Sequence, residues 1–315
     1  MAVQGIEDFY TLEDISLAQS LASIENDLVE VAPPIPTGFD KLDEVLGGGL
    51  FPGVTVVAGE PGAGKSTNGL NIASNVADRG RGAVFFSAEM DRTECVLRLL
   101  SLYSGEFEWA RAWKSMTGVA QTVRMAASKG IDFETAVSKC RDGNVVLNAL
   151  NNWPLANRLA VLENTRSADI VNIIRRIDAG ERHRDGDSFR SPLYVVDYAQ
   201  ALDVDAYERD VSEYERVTAV SNVFRDTAKE LRVPILLIAA MNRDSTKDKR
   251  PTMHGLRGSS ALEYDAKVVL ILQKNEVPGF VDMHVVKNRY GNLTDDMPIS
   301  FSFDGAHGIF KELAN

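Results

Sequence analysis

Short apolar runs rich in β-branched residues recur along the chain from residue 54 onward, and they predict β-strands. Helical patterns separate the earlier runs, which predicts an α/β fold with a largely parallel sheet covered by helices on both faces. The last runs follow one another closely, as expected of antiparallel strands at the C-terminal edge. The predicted strands are Val54–Ala58, Ala83–Ser87, Leu193–Asp197, Ile235–Ala239, Val268–Leu272, His284–Lys287 and Ile299–Phe303.

The most regular helical pattern lies near residues 215–232 and predicts a helix with one face in the core. The apolar residues of that face are Val217, Val220, Phe224, Ala228 and Leu231. The pattern ends before Val233 and Pro234, where a helix is expected to stop. Residues 104–150 are polar and helix-prone without strand signals, and they predict a helical elaboration of the main domain.

The first 34 residues are predicted to form a separate linker or docking helix, followed by the main domain at 35–315. Thr11 is a candidate N-cap, and one helical stripe is apolar. The stripe consists of Leu17, Leu21, Ile24 and Leu28. It could pack on its own domain or dock on a neighbouring subunit. The prolines at 33, 34 and 36 predict a stiff link.

The composition argues against several classes of protein. A formal net charge of -11 over 315 residues is inconsistent with a surface that is basic throughout, although a local basic channel stays compatible with nucleic acid. No run approaches the roughly 20 apolar residues of a membrane span, and the acidic N-terminus has no signal-peptide core. Cys95 and Cys140 are isolated, so neither a disulfide framework nor a zinc site is predicted. A cytoplasmic protein is expected.

A glycine-rich loop with the spacing G-x-x-x-x-G-K-S follows the first predicted strand and precedes a helical pattern. Glycines allow consecutive backbone N–H groups to surround a phosphate, since no Cβ blocks the turn. Lys65 is expected to contact the β- and γ-phosphates, and Ser66 to ligate Mg²⁺. The pattern predicts a nucleoside triphosphate site, with ATP expected. Its residues are Gly59, Glu60, Pro61, Gly62, Ala63, Gly64, Lys65, Ser66 and Thr67.

Two acidic residues stand at the ends of predicted strands. Asp197 ends the apolar run Leu193–Asp197, and a carboxylate there can hold Mg²⁺ through its water shell beside a phosphate loop. Glu89 follows Ala83–Ser87 and is the candidate that orients water for attack on the γ-phosphate. The alternative for Glu89 is a solvated acid that caps the helix beginning near Asp91.

Six stretches in the same order resemble the RecA-like C-terminal motor of DnaB-type replicative helicases. They are Phe85–Met90, Val195–Gln200, Ala228–Pro234, Asn242-Arg243, Leu256–Ala266 and Lys287–Gly291. The resemblance covers roughly residues 35–310. It implies a RecA-like P-loop ATPase that moves on single-stranded DNA, with Glu89 as the catalytic carboxylate.

The resemblance also implies that Lys287 and Arg289 project into the neighbouring subunit's ATP site, Arg289 as an arginine finger. Such fingers need a neighbour, so a homo-oligomeric ring, expected to be hexameric, is implied. Without the resemblance, both residues would be interpreted as charges that keep a hairpin edge soluble.

Local positive charge is concentrated between Asn242 and Gly258. The basic residues are Arg243, Lys247, Lys249, Arg250 and Arg257, against only Asp244 and Asp248. A bare charge run would indicate a solvated loop. The resemblance instead implies a channel-facing region that contacts the phosphates of one DNA strand, with Gly258 able to offer an unobstructed N–H. No aromatic residue is interleaved, so sequence preference is expected to be slight.

Two features depart from the DnaB pattern. Ala240 stands where the family has a glutamine that senses the γ-phosphate, and alanine has no side-chain hydrogen bond to offer. The N-terminal primase-binding domain of the family is expected to be absent. Residues 38–43 and 47–50 also resemble the entry to RadA- and KaiC-type ATPases. A recombination ATPase without processive unwinding and a regulatory ring that does not act on DNA are therefore the alternatives.

Overall fold

The structure is a computed structural model that describes residues 33–117, 129–155, 157–185, 190–204, 212–241, 251, 260–294 and 297–313. The predicted N-terminal helix lies outside the described residues, and the fold is therefore that of the unit Pro34–Asn315. Within the described residues, no helix is long and apolar enough to cross a membrane.

A nine-stranded mixed sheet forms the centre of the described fold, in the order β3-β2-β4-β5-β1-β6-β7-β8-β9. In this order, the first six strands are parallel to one another. The last three strands, β7, β8 and β9, continue the sheet in antiparallel pairs. The predicted parallel sheet with an antiparallel C-terminal edge is confirmed. The strands are β1 (Gly53–Gly59), β2 (Ala83–Ser87), β3 (Leu159–Glu163), β4 (Leu193–Asp197), β5 (Pro234–Ala240), β6 (Val268–Lys274), β7 (Phe280–Asn288), β8 (Ile299–Asp304) and β9 (Ile309–Glu312).

Eight helices and one 3₁₀ turn of the described chain surround this sheet. Residues 109–117 are also helical. The helices are α1 (Asp40–Leu46), α2 (Lys65–Asp78), α3 (Arg92–Ser104), α4 (Phe133–Ser138), α5 (Gly143–Asn151), α6 (Ser167–Asp185), α7 (Glu213–Leu231) and α8 (Ala261–Asp265), and the 3₁₀ turn is Ala199–Ala201.

Alternating side chains of the central strands build two apolar layers, one on each face of the sheet. Val57 and Phe85 are fully buried in the layer that includes α2. Val56 and Phe86 are fully buried in the layer that includes α6 and α7. Because these strands are covered on both faces, their sequences are almost continuously apolar, which is why the pattern predicted them.

Helix α7 matches the predicted amphipathic helix. Ser212 and Glu215 form a capping box at its N-terminus, which satisfies backbone N–H groups of the first turn. Val217, Val220 and Phe224 are fully buried against the sheet. The helix therefore fixes the position of its N-terminal turn relative to the ends of β4 and β5.

The helical region after α3 has a small apolar core of its own. Leu97 and Leu100 of α3 pack with Phe107, Val146 and Ala149. Trp109 joins this region to the β8–β9 turn, because its Nε1 donates to the Gly305 carbonyl at 3.0 Å. The helical region therefore contacts the sheet at the β8–β9 turn.

Candidate nucleotide-binding site

The carboxyl ends of four parallel strands meet at one edge of the sheet, as expected for a ligand site in an α/β fold. A cleft of about 850 Å³ opens over them. It brings together the phosphate loop, Glu89 and Asp197, which are far apart in the sequence. Its lining residues are Pro61, Gly62, Gly64, Lys65, Ser66, Thr67, Glu89, Met90, Glu94, Arg98, Asp197, Tyr198, Gln200, Glu213, Arg216, Ile238, Ala240, Phe303 and Gly305.

The phosphate loop has the backbone conformation that its glycines predict. Gly62 and Gly64 have φ values of 77° and 83°, in the left-handed region that favours glycine. A Cβ on Gly64 would also lie 2.8 Å from the Phe310 ring. Gly64 is the N-cap of α2 and makes no side-chain capping bond. The first N–H groups of α2 are therefore available to an anion at the positive end of the helix dipole.

Two lysines are fixed to this loop by its own carbonyl groups. Lys65 Nζ donates to the Glu60 carbonyl at 3.0 Å, and Lys274 Nζ donates to the Pro61 carbonyl at 3.0 Å. Burial lowers the pKa of Lys65, while the charges of Asp197 and Glu89 act in the opposite direction. The Lys65 ammonium therefore lies in a partly desolvated site between acids, where a polyphosphate would be a strong partner.

Asp197 is fully buried, and neither of its carboxylate oxygens has a hydrogen-bond partner among the described residues. Burial raises its pKa to about 6. The Ser66 hydroxyl, which lies near the carboxylate without making a hydrogen bond of normal geometry, and the Lys65 charge act to lower the pKa. A buried carboxylate without a hydrogen-bond partner, beside a phosphate loop, is a residue that would hold a hydrated Mg²⁺. No cluster of three or more metal-ligating acids, histidines or cysteines occurs in the described part of the chain.

The turn after β2 presents Glu89 to the cleft. Ser87 Oγ donates to the Met90 carbonyl at 2.7 Å and accepts from the Met90 N–H at 3.0 Å, which closes the turn. The Ala88 N–H donates to the Asp197 carbonyl at 2.6 Å and joins this turn to the end of β4. The capping role at α3 belongs to Asp91, whose Oδ1 accepts from the Glu94 N–H at 2.9 Å. Glu89 is exposed in the cleft and does not cap the helix.

Several cleft residues were not identified as site residues from the sequence. Arg98 donates two bonds to Glu94 Oε1, at 2.7 and 3.1 Å, and stacks 3.4 Å above the Trp109 ring. Gln200, Arg216 and the members of the β8–β9 region also reach the cleft. Only the four-residue spacing of Glu94 and Arg98, on the helix after Glu89, offered a signal in the sequence.

Lys287 and Arg289 lie away from the cleft of their own chain. Lys287 Nζ donates to the Glu263 and Tyr264 carbonyls, and an Arg289 N–H donates to the Tyr264 carbonyl at 3.4 Å. Both cations therefore contact the C-terminal end of α8, the negative end of its dipole. Burial lowers the pKa of Lys287, and the neighbouring Arg289 charge adds to this effect.

The predicted DNA-contacting residues Arg243, Lys247, Lys249, Arg250, Arg257 and Gly258 lie outside the described residues. Their assignment stays a prediction. Ala240 is described and lines the cleft at the end of β5, where the family pattern has the γ-phosphate-sensing glutamine.

The parallel sheet, the glycine loop at the start of α2 and the buried acid on β4 define a P-loop nucleotide-binding protein with a RecA-like fold. The model of the DnaB-like helicase C-terminal domain matches residues 34–311. The chain belongs to that family.

Similar proteins carry helicase names. The replicative DNA helicase DnaB of Leifsonia xyli subsp. xyli is 29% identical over 298 residues, covering 89% of this chain and 56% of the relative. A probable plasmid replicative DNA helicase of Chlamydia muridarum is 25% identical over 272 residues, covering 82% of this chain and 51% of the relative. The chain thus spans about half the length of these curated relatives.

Solved structures show the same fold. A separately solved ATPase domain superimposes with a TM-score of 0.67 and 21% identity, over 98% of this chain and 100% of that one. A DnaB-like replicative helicase, studied with its primase interactions, superimposes with a TM-score of 0.69 and 20% identity, over 96% of this chain and 70% of that one.

Proposed function

We propose that this protein is an ATP-dependent motor of the DnaB type, which hydrolyses ATP at subunit interfaces and moves on single-stranded DNA in the cytoplasm. The buried, unpartnered Asp197 carboxylate beside the phosphate loop is the observation that carries the nucleotide part of this proposal. Membership of the DnaB-like family supports the DNA part.

Within one subunit, residues 59–67 would hold the triphosphate. Lys65 would bind the β- and γ-phosphates, while Ser66 and Asp197 would organise Mg²⁺, directly and through water. Mg²⁺ would neutralise phosphate charge during transfer. Glu89 would accept a hydrogen bond from the attacking water and orient it in line with the γ-phosphate.

The rest of the site would come from a neighbouring subunit in a ring, proposed to be hexameric. Arg289 would neutralise charge in the transition state, with Lys287 beside it. In the single chain, both side chains contact carbonyls at the end of α8 and face no carboxylate partner in the described contacts. Carbonyl contacts of this kind can be exchanged for phosphate contacts, because a phosphate is the stronger acceptor.

The segment from Arg243 to Gly258 is proposed to contact the phosphates of the strand. The expected affinity falls steeply with salt, since each phosphate contact releases counterions.

The steady-state ATPase rate with and without a long single-stranded DNA tests this proposal, with Lys65→Ala as the control for contaminating activity. We expect stimulation of about tenfold, equivalent to roughly 1.4 kcal/mol of barrier lowering. The double variant K249E/R250E should lose this stimulation. The matched charge reversal K139E/R141E, at two exposed basic residues of the helical region, should keep it.

If the wild type hydrolyses ATP at the same rate with and without DNA, and Lys65→Ala abolishes that activity, the DNA part of the proposal is contradicted. This result would favour the regulatory ring. Stimulation by DNA without displacement of a strand from a forked duplex would favour the recombination ATPase.

A further inference from the structure

The β4–β5 ladder ends before β5 does. The two strands pair from Tyr194 opposite Ile235 to Val196 opposite Leu237. After β4 the chain turns away into the 3₁₀ turn Ala199–Ala201, whereas β5 continues to Ala240. The end of β5 therefore has no strand neighbour on its β4 side.

The Gln200 side chain occupies the place of that missing neighbour. Its Oε1 accepts a hydrogen bond from the Ala240 N–H at 3.0 Å, and its Nε2 lies 3.5 Å from the Ala240 carbonyl oxygen. Because a backbone N–H can only donate, the amide oxygen must be the atom that faces it. A carboxamide carries the same donor and acceptor as a peptide group, so Gln200 adds one further rung to the ladder.

The turn that carries Gln200 is firmly anchored. Ala199 and Leu202 are fully buried in the apolar layer that includes α7, and Gln200 itself is only 8% exposed. Gln200 lies three residues after Asp197, and both side chains line the nucleotide cleft together with Ala240. The carboxamide is thus in contact with the cleft on one side and with the β5 backbone on the other.

We infer that Gln200 is a positioning residue that transmits the state of the nucleotide cleft to the chain after β5. Ala240 has no polar side chain with which to sense a γ-phosphate, and residues 242–250 begin two positions after it. A displacement of the Gln200 carboxamide on nucleotide binding would shift the Ala240 backbone and the basic segment behind it. The link to DNA rests on the proposed function; the link between the cleft and β5 does not.

The variant Gln200→Leu tests this role, because it removes both polar contacts at similar side-chain size. The measured quantity is the ratio of ATPase rates with and without single-stranded DNA at saturating ATP. We expect this ratio to fall by about fivefold or more, the lower end of typical coupling between sites. The affinity for an ATP analogue is measured in parallel, so that ATP is saturating for each protein and a loss of nucleotide binding is distinguished from a loss of coupling.

Two further variants separate positioning from general damage. Gln200→Glu keeps an oxygen acceptor for the Ala240 N–H but places a second carboxylate oxygen, instead of Nε2, towards the Ala240 carbonyl oxygen. Its stimulation ratio should therefore lie between those of the wild type and Gln200→Leu. Gln273→Leu makes the same chemical change near the end of β6, outside the cleft lining, and should leave the ratio unchanged. A Gln200→Leu ratio equal to that of the wild type would overturn the inference.

Hydrogen exchange decides the question without DNA. In the wild type, a non-hydrolysable ATP analogue should change amide exchange from Ala240 through residue 250, and Gln200→Leu should abolish that change. An equal change in both proteins, or none in the wild type, would overturn the inference. A wild type that shows this change but no DNA stimulation would contradict only the proposed function.

Discussion

At the scale of a single residue, burial of the Asp197 carboxylate in the candidate nucleotide site lowers the stability of the folded chain. The fully buried Asp197 carboxylate loses its hydration, and the nearby Ser66 hydroxyl and Lys65 charge offset that loss only in part. Its raised pKa, about 6, is the measurable sign of that cost. Bound Mg²⁺ would offset this cost, because a nearby cation stabilises the ionised carboxylate. The same group thus destabilises the protein without nucleotide and, in the proposed role, would strengthen the binding of Mg²⁺ with nucleotide.

Asp197→Asn is therefore expected to change stability in a pH-dependent way. The folded pKa of about 6 lies above the ordinary value of 3.8, so the cost is present above pH 6 and disappears as the pH falls towards 4. The free energy of unfolding of the variant, relative to that of the wild type, should be about 2 kcal/mol more favourable to folding at pH 8 than at pH 4.5. Urea unfolding without nucleotide at the two pH values measures this difference.

The exposed carboxylate Asp203 offers the matched control, as Asp203→Asn should show little change of relative stability over the same range. A difference between Asp197→Asn and the wild type that does not vary with pH would contradict the interpretation of Asp197.

At the scale of elements, the sequence predicted the strands that are buried on both faces and missed two strands at the edges. β3 offers only a short apolar run, Leu159–Leu162, in which Val161 is the single β-branched residue. β9 has only four residues and contains two charged ones, Lys311 and Glu312. Such strands form because a neighbouring strand offers hydrogen bonds, and a local apolar pattern does not contain that information.

The candidate site divides in the same manner. The phosphate loop was predictable because its chemistry lies within eight consecutive residues. Glu89 and Asp197 were predictable because each follows or ends a buried strand. The contact of Gln200 with Ala240 was not predictable, because the fold joins two residues that are 40 positions apart.

Helix α2 and strand β9 are joined by one buried side chain, Asn71. Its Nδ2 donates to the Thr67 and Gly308 carbonyls at 2.7 and 2.8 Å, and its Oδ1 accepts from the Phe310 N–H at 3.1 Å. Because α2 begins in the phosphate loop, this amide fixes the β8–β9 hairpin against the nucleotide site. The edge strand that the sequence did not reveal is thereby a part of the site's support.

Asn71→Ala is expected to destabilise the protein by about 2 to 4 kcal/mol, because it leaves buried backbone groups of β9 and of the β8–β9 turn without partners. Asn75→Ala on the same helix removes one partly buried bond, to the Thr37 carbonyl, and should cost about 1 kcal/mol. Chemical denaturation of both variants measures the comparison. Equal losses would show that Asn71 does not join the two elements as described.

At the scale of the whole molecule, the ring proposal depends on a site that no single chain completes. Glu89 lies in the cleft of its own chain, whereas Lys287 and Arg289 contact the end of α8. In a head-to-tail ring, every interface combines the cleft of one subunit with the finger of the next. The alternative is that Arg289 only caps α8. Its removal would then lower the stability of its own chain, and mixing with another subunit would not restore activity.

Mixing two inactive variants distinguishes these alternatives. Glu89→Gln and Arg289→Ala should each lose most ATPase activity as homo-oligomers. In a one-to-one mixture, about a quarter of head-to-tail interfaces would pair an intact cleft with an intact finger. We therefore expect about a quarter of the wild-type rate if interfaces act independently, measured after subunit exchange. A mixture of Glu89→Gln with Lys65→Ala restores no intact cleft and is the control. If Arg289 acts within its own chain, neither mixture contains an intact site. Equal inactivity of the two mixtures would therefore contradict a site shared between subunits.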